Sequence, residues 1–244
     1  MIHRGKNCID GLLLVDKPVD WTSHDVVNCV RRRFDLYKTG HCGTLDPFAT
    51  GLLILLLGKA TKLQDLLMSE TKIYSGVMRL GEATDSQDRM GNVTAVKEVP
   101  KLVRGDLEAL AGHFLGDQFQ IPPMASAIKV DGKPLYKLAH QGKTIERKPR
   151  PISIKSFDIT DVDLPDVGFR LCCSKGTYVR TIADDFGEKL GCGAHLEELR
   201  REQSGDFRVE NAVSMDLIKD WELSQLLEHY VPMEDLCAFD AKKD

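Results

Sequence analysis

The sequence lacks several features that identify common protein classes. No apolar run approaches the ~18 residues that a membrane-spanning helix needs, since the run Leu52–Leu57 ends at Gly58. The N-terminus leads into no long apolar segment, so we expect no signal peptide and a cytoplasmic protein. The glycine-rich patterns of dinucleotide sites and phosphate-binding loops are also missing. The sequence therefore predicts no nucleotide cofactor.

Metal-binding patterns are missing as well. The seven cysteines form no Cys-x-x-Cys pair, and no histidine stands at zinc-finger spacing. We expect reduced, mostly buried thiols and interpret Cys42 as a small loop residue, because no pattern identifies a base that would activate it. The polar stretch 84–91 contains acids but not the calcium-loop pattern, which favours a solvated turn. We predict no metal site.

The chain as a whole has no excess of positive charge, since its formal net charge is −4, but one segment does have such an excess. Between Lys129 and Lys155, eight basic residues face two acidic ones, which leaves a local charge of +6. Such a segment suits contact with phosphates. On charge alone, a basic surface loop without a partner is an equally good interpretation.

The order of elements predicts an α+β fold with a mixed, largely antiparallel central sheet flanked by helices. Strands and helices interleave, but the short spacings and hairpin-like strand pairs argue against a doubly wound parallel sheet. The pattern predicts strands over 11–15, 72–81, 151–162 with a bulge, and 167–173, and a buried strand or short core helix over 52–57. It predicts one helix that begins at Thr22 or Ser23 and another that ends at Leu190. Further helices are predicted over 60–68, 102–114, 215–220 and 222–229, and a short one around 135–138.

The sequence predicts a tight loop over Gly40–Gly51, since its glycines and proline oppose a helix or central strand. Asp46 precedes Pro47, which favours an extended backbone at Asp46 and stiffens the turn that carries its carboxylate. The buried run that follows would hold this loop in place, as scaffolds hold catalytic loops. A structural turn, in which Asp46 only bonds its own backbone, is favoured by turn chemistry alone.

The loop sequence Gly-His-Cys-Gly-Thr-Leu-Asp-Pro-Phe-Ala-Thr-Gly resembles the nucleophile loop of the TruB family of pseudouridine synthases. The resemblance implies that Asp46 is the nucleophile and that His41 contacts the substrate RNA, inserting where the target base was stacked. On the residues alone, a histidine that satisfies backbone groups is the simpler interpretation of His41.

Three further stretches extend this resemblance in the order of the family's motifs. Lys72-Ile73-Tyr74 implies that Tyr74 stacks on the target base, although an ordinary packed tyrosine is favoured without the motif. The segment Ser174–Thr181 implies that Arg180 pairs with Asp46 and that Tyr178 binds substrate. Leu199 matches the family's apolar pocket residue.

The resemblance implies isomerisation of uridine 55 in the TΨC loop of tRNA to pseudouridine. The bond from ribose C1′ to N1 is broken and remade at C5, without a redox change or group donor, so no cofactor is expected. The base must leave its stack for the reaction. A pairing arginine would keep Asp46 ionised against the desolvation of a closed pocket.

The resemblance also implies a domain organisation. Residues 1–236 would form the catalytic domain, with an RNA-gripping insertion at about 124–151 that includes the substrate-binding Lys129 and Lys133. Residues 237–244 would form a short tail without the PUA domain that many family members carry. We expect a monomer that needs no obligate protein partner.

Three alternatives remain open. An RNA chaperone would grip and open tRNA without chemistry, but it has no need of a nucleophile. A guide-RNA-dependent pseudouridine synthase would share the catalytic core but work with a PUA domain and protein partners. A small-molecule lyase or isomerase that uses the carboxylate would show no dependence on RNA.

Overall fold

The computed structural model describes residues 6–68, 70–126, 128–130, 132–135, 138, 141, 143 and 145–240, without the side chains of 129, 133, 134 and 237–240. The chain forms two compact units. Unit 1 comprises Met1–Lys72 and Arg200–Asp244, and unit 2 comprises Ile73–Leu199. Among the described residues, no helix has the length and apolarity to span a membrane.

The described strands are β1 (Gly11–Lys17), β2 (Thr39–Cys42), β3 (Thr50–Leu57), β4 (Lys72–Leu80), β5 (Glu82–Thr84), β6 (Val93–Val96), β7 (Gly116–Gln120), β8 (Lys129–Val130), β9 (Lys133–Pro134), β10 (Arg150–Asp163), β11 (Asp166–Cys173), β12 (Ala194–Ser204), β13 (Phe207–Arg208), β14 (Val213–Ser214) and β15 (Val231–Pro232). The described α-helices are α1 (Ser23–Arg33), α2 (Gln64–Met68), α3 (Arg104–Gly112), α4 (Val179–Leu190), α5 (Met215–Asp220), α6 (Leu223–His229) and α7 (Met233–Asp240). Two 3₁₀ turns span Gly58–Leu63 and Val209–Asn211.

Unit 1 is built on two apolar strands, β1 and β3. They pair antiparallel along their length, from Gly11 opposite Leu57 to Lys17 opposite Gly51. β2 and β15 add antiparallel pairings, whereas β14 pairs with β1 and β12 pairs with β3 in parallel. The continuous apolar sequence of β3 is buried from Gly51 to Leu57, as a strand covered on both faces requires.

Helix α1 follows β1 and begins with a capping box. The Thr22 side chain accepts a hydrogen bond from the Asp25 amide, and the Asp25 carboxylate accepts one from the Thr22 amide. Val26, Val27 and Val30 recur at helical spacing and are buried. The expected helix start at Thr22 or Ser23 is therefore confirmed.

Unit 2 is organised around the antiparallel pair β10–β11, with β7 on the outer side of β10. The β10–β11 register shifts between Ile154 and Ser156, where the sequence predicts a bulge. Four phenylalanines pack edge-to-face or stacked, with centroids 5.7–5.8 Å apart, and form an aromatic core: Phe114, Phe157, Phe169 and Phe186.

The α+β class with a mixed, largely antiparallel sheet is confirmed, and the run 52–57 is a strand. Helix α4 ends at Gly191, whose φ of 81° lies in the left-handed region that favours glycine, as expected for this stop signal. The sequence did not predict the 11-residue strand β12, the shorter strands β2, β5–β9 and β13–β15, or helix α7. The loop predicted over 40–51 is shorter than expected, because its two ends lie in β2 and β3. The helix expected around 135–138 falls partly outside the described residues, because 136 and 137 are not among them.

Candidate active site

The loop that carries Asp46 joins β2 to β3 in unit 1. Leu45, Phe48 and Ala49 are buried on either side of it, whereas Asp46 itself is half-buried. The Asp46 carbonyl accepts a hydrogen bond from the Ala49 amide at 3.1 Å, which closes a turn. The apolar neighbours thus fix the loop and leave the acidic residue near the surface.

Ser23, the first residue of α1, ties this loop to the helix. Its buried hydroxyl accepts a hydrogen bond from the Leu45 amide at 2.9 Å and donates to the Leu45 carbonyl at 3.2 Å. Both backbone groups of the residue before Asp46 are therefore satisfied by one side chain. The position of Asp46 depends directly on the start of α1.

Lys17 lies at the end of β1 and is fully buried. Its ammonium donates to the carbonyls of Pro18, Trp21 and Pro47 at 2.7, 2.6 and 3.1 Å. Burial lowers the pKa of Lys17 to about 8, and the negative charge of Asp46 is the strongest influence in the opposite direction. A buried cation therefore acts on Asp46 and favours its ionised form.

Arg201 of β12 holds the first half of the loop. It is 2% exposed, and its guanidinium donates to the Leu52 carbonyl at 2.7 Å and to the Gly43 carbonyl at 3.1 Å. A Cβ at Gly43 would lie 3.2 Å from Nη1 of Arg201, and Gly43 has a φ of 84°. The backbone at this position thus favours glycine, and an added side chain would also press against the Arg201 guanidinium.

His41 and Cys42 occupy the end of β2. Burial, together with the positive charges of Arg201 and His24, lowers the pKa of His41, which favours the neutral imidazole. Its buried Nδ1 has no hydrogen-bond partner among the residues that the structure describes. Burial raises the pKa of the Cys42 thiol to about 11, which fits its interpretation as a small loop residue rather than a nucleophile.

Arg180 lies in the first turn of α4 in unit 2 and is 3% exposed. Its guanidinium donates to the Ser86 carbonyl at 3.1 Å and to the Ala125 carbonyl at 2.8 Å, and it lies 3.4 Å from a carboxylate oxygen of Asp88. Asp88 is itself 4% exposed, so this ion pair is buried. The predicted pair of Arg180 with Asp46 stays a prediction.

The interpretation of residues 84–91 as a solvated turn holds only in part, since Asp85, Arg89 and Met90 are exposed but other residues of the turn are not. Thr84 and Asp88 are buried, and the Ser86 hydroxyl donates to Asp88 at 2.6 Å. Backbone hydrogen bonds join Arg89 and Gln87 to Leu196 of β12. Asp88 pairs with the buried Arg180, which lies too far along the sequence for local patterns to reveal, whereas Asp85 accepts hydrogen bonds from Asn92.

The remaining predicted site residues of unit 2 lie on three elements. Tyr178 precedes α4, and the Gln120 side chain bonds both its amide, at 2.8 Å, and its carbonyl, at 3.1 Å. Tyr74 is half-buried on β4, near Gly76, where an added Cβ would lie 2.5 Å from the Glu198 carbonyl. The backbone of β12 therefore approaches this glycine closely. Leu199, at 7% exposure, is buried on β12.

The basic segment is only partly described. The side chains of Lys129 and Lys133 lie outside the described part of the chain, so their predicted roles stay predictions. Arg150 and Lys155 are exposed, whereas Arg147 donates to the Pro122 carbonyl at 3.1 Å. Among the residues with described side chains, no cluster of three His, Cys, Asp or Glu could hold a metal ion.

The structure thus places Asp46 and His41 in unit 1, and Tyr74, Tyr178, Arg180 and Leu199 in unit 2. It adds residues that sequence reasoning missed, above all Lys17, Ser23 and Arg201 around the Asp46 loop and Asp88 beside Arg180. No local signal marks Lys17, because it follows Asp16 at the end of the strand, where a lysine is ordinarily exposed.

The chain is similar to known proteins over most of its length. Residues 31–179 match the model of the TruB family pseudouridylate synthase N-terminal domain, and residues 180–238 match that of the tRNA pseudouridylate synthase B C-terminal domain. A tRNA pseudouridine synthase B of Opitutus terrae is 50% identical over 225 residues, which is 92% of this chain and 93% of that protein. One of Geobacter sulfurreducens is 48% identical over 87% of this chain and 70% of its own length.

Two solved structures have a similar fold. A chain of a Cbf5-Nop10-Gar1 complex superposes with a TM-score of 0.71 at 29% identity, over 92% of this chain. A chain of the archaeal box H/ACA sRNP Nop10-Cbf5 complex superposes with a TM-score of 0.68 at 28% identity, over 93% of this chain. The present chain spans 60% and 61% of the length of these two chains.

Proposed function

The chain belongs to the TruB family of pseudouridylate synthases, and we propose on this premise that it isomerises uridine 55 in the TΨC loop of tRNA to pseudouridine. The observation that carries the proposal is the construction of the Asp46 loop. A part-exposed carboxylate stands on a loop that a buried serine, lysine and arginine hold from three elements. A turn of purely structural use has no need of such support.

Asp46 would act on the ribose C1′ as the bond to N1 breaks. A carboxylate can serve as a nucleophile only when it is ionised. The Lys17 ammonium supports that state, since it is buried and its charge interacts favourably with that of Asp46. The base, which leaves with the electron pair on N1, then turns so that C5 faces C1′. The bond from Asp46 to C1′ breaks as the bond from C5 to C1′ forms, the proton at C5 leaves, and N1 takes up a proton. The reaction needs neither oxidant nor group donor.

The other site residues would handle the base. We infer from the family's motifs that Tyr74 stacks on the target uracil, that Leu199 lines its pocket with Tyr178, and that Arg180 pairs with the nucleophile. Stacking on an aromatic ring is worth about 1–3 kcal/mol per base and would offset the cost of unstacking.

His41 would replace the base in its stack. Its neutral ring suits stacking between bases, and the unpartnered Nδ1 would gain a hydrogen-bond partner from RNA. Lys129 and Lys133, in the segment 124–151, would contact the phosphates of the T-arm.

We further infer a cytoplasmic enzyme that works as a monomer without an obligate protein partner. A guide-RNA-dependent mode has support in that two of the similar solved structures are complexes with Nop10. The curated relatives favour the stand-alone mode, because one of nearly equal length is named as a tRNA pseudouridine synthase B. A purely chaperone role leaves the buried supports of Asp46 without a purpose.

The assignment to position 55 is tested by mapping the product. An unmodified tRNA transcript is incubated with the protein alone, treated with a carbodiimide that marks pseudouridine, and copied by reverse transcriptase. We expect one new stop adjacent to position 55, and none on a transcript with cytidine at 55. Stops at other uridines, or a need for an added guide RNA, would contradict the proposal.

A further inference from the structure

Gln87 lies between Ser86 and Asp88, the two residues of its loop that contact Arg180. Its side-chain amide is held at both ends. Oε1 accepts a hydrogen bond from the Thr181 hydroxyl at 2.8 Å, and Nε2 donates to a carboxylate oxygen of Asp184 at 2.6 Å. The glutamine thus bridges the loop to helix α4.

The backbone of Gln87 shows that this position is held in place. Its φ of 66° lies in the left-handed region, which residues other than glycine rarely adopt. Such a conformation persists only where the surroundings determine it. Backbone hydrogen bonds from its amide to the Thr84 carbonyl, at 3.2 Å, and from the Leu196 amide to its carbonyl, at 3.0 Å, complete the support.

The helix that anchors Gln87 also carries Arg180. Thr181 follows Arg180 directly, and Asp184 lies four residues after Arg180, one turn further along the same helix. One rigid element therefore presents both the guanidinium and the two groups that hold the loop. The distance from Arg180 to Asp88 depends on how Gln87 seats the loop against α4.

Asp184 is suited to accept the hydrogen bond from Gln87. It is half-buried, and burial raises the pKa of its carboxyl, whereas the hydrogen bond from Gln87 acts in the opposite direction. The amide of Gln87 therefore supplies the donor that a half-buried carboxylate needs. A carboxylate at position 87 would instead place two acceptors at the 2.6 Å separation of the present hydrogen bond.

We propose that Gln87 is a positioning residue, which sets Asp88 and, through Asp88, the guanidinium of Arg180 for the reaction by joining the loop to Thr181 and Asp184. The inference rests on the proposed function, in which Arg180 acts on the nucleophile. It adds a residue that touches neither the substrate nor the reacting atoms.

The test exchanges the two ends of the hydrogen bond between residues 87 and 184. Single-turnover rate constants for pseudouridine formation are measured at saturating enzyme for wild type, Gln87→Glu, Asp184→Asn and the double variant. Gln87→Glu sets two carboxylates against each other, and we expect a rate about tenfold or more below wild type. Asp184→Asn keeps an acceptor for Gln87, and the double variant restores a donor and an acceptor with their positions exchanged, so both should stay within about threefold of wild type.

Rescue by the double variant separates positioning from a merely structural role, since a general loss of packing would not be reversed by a second polar change. Gln118→Glu is the matched control, because the Gln118 side-chain amide is also a hydrogen-bond donor in unit 2, in this case to the Phe114 carbonyl, and has no contact with Arg180 in the described hydrogen-bond network. We expect a wild-type rate for it. If Gln87→Glu fails to fold, Gln87→Met removes both hydrogen bonds without adding charge and should lower the rate about threefold to tenfold.

The outcomes are distinct. A Gln87→Glu rate equal to that of wild type, or a double variant no faster than Gln87→Glu, overturns the positioning role while wild-type activity upholds the proposed function. A defect confined to tRNA affinity, with an unchanged single-turnover rate, overturns it as well. A wild-type protein that forms no pseudouridine overturns both.

Discussion

Two buried cations hold the Asp46 loop in place. Lys17 and Arg201 are both almost completely shielded from solvent, yet each directs its donors to backbone carbonyls of the loop or its flanks. Buried charges are costly unless they are paired or hydrogen-bonded. Their presence here is best explained by what they do for the loop and for the carboxylate that it carries.

The charge of Lys17 should appear in the pH dependence of the reaction. With a pKa lowered to about 8, its ammonium is positive below that pH and neutral above it. We expect the single-turnover rate of wild type to fall as pH rises through about 8. Lys17→Met carries no charge at any pH, so its rate should be roughly tenfold lower at pH 7, equivalent to about 1.4 kcal/mol, and should lack this fall.

The same pKa fixes the sign of the effect on stability. Between pH 8 and 10.5, the unfolded chain binds a proton at Lys17 that the folded chain has lost, so the free energy of unfolding should rise with pH in this window. Lys59→Met is the control for this stability measurement, because Lys59 is an exposed lysine of the same unit.

For the reaction rate, an alkaline fall that is identical in Lys17→Met and wild type would exclude Lys17 as its source.

Sequence reasoning reached Asp46 but not the residues that support it. Asp46 stands in a motif, whereas Lys17, Ser23 and Arg201 come from three separate elements and meet only in the fold. Hydrophobic periodicity marks apolar positions and says nothing about a charged residue that is buried for its hydrogen bonds. Buried cations therefore look like surface residues until the tertiary contacts are known.

Among the elements, strand β12 shows the limit of local patterns most clearly. Its sequence from Ala194 to Ser204 is rich in Leu, Glu and Arg, which are good helix formers, and yet it is a strand. Parallel pairing with β3 and the burial of Leu196, Leu199 and Arg201 override that preference. The helices with caps and stop signals, such as α1 and α4, were by contrast predicted nearly to the residue.

Helix α1 allows its folding role to be separated from its role at the loop. Ser23→Ala removes the hydroxyl that satisfies both backbone groups of Leu45, and we expect a loss of about 1–3 kcal/mol in the free energy of unfolding. It should also lower the single-turnover rate, because Asp46 follows Leu45. Thr22→Ala removes the neighbouring helix cap and should cost about 1 kcal/mol.

Thr22→Ala is thus a control for stability and should keep the wild-type rate. Urea denaturation and single-turnover kinetics on both variants make the comparison. Equal rates in the two variants would show that the hydroxyl of Ser23 stabilises the fold without positioning the nucleophile.

For the whole molecule, the residues inferred to act together are spread along about two thirds of the chain, from His41 to Leu199. The boundaries of the two units fall just before Tyr74 and just after Leu199. The fold class, most helices and the strands β1, β3, β4, β10 and β11 followed from pattern and turn chemistry. The functional assignment followed from motif resemblance, which the family match bears out. The roles of the individual side chains are the part that experiment must establish.

The most direct measurement is tritium release from C5-labelled uridine in unmodified tRNA, with wild type beside Asp46→Asn. The substitution keeps the size of the side chain and removes the nucleophile. We predict release by wild type and none by Asp46→Asn, with tRNA binding retained by both. Release by Asp46→Asn at the wild-type rate, or no release by either protein while both bind and refold tRNA, would contradict the account and leave Asp46 as a turn residue.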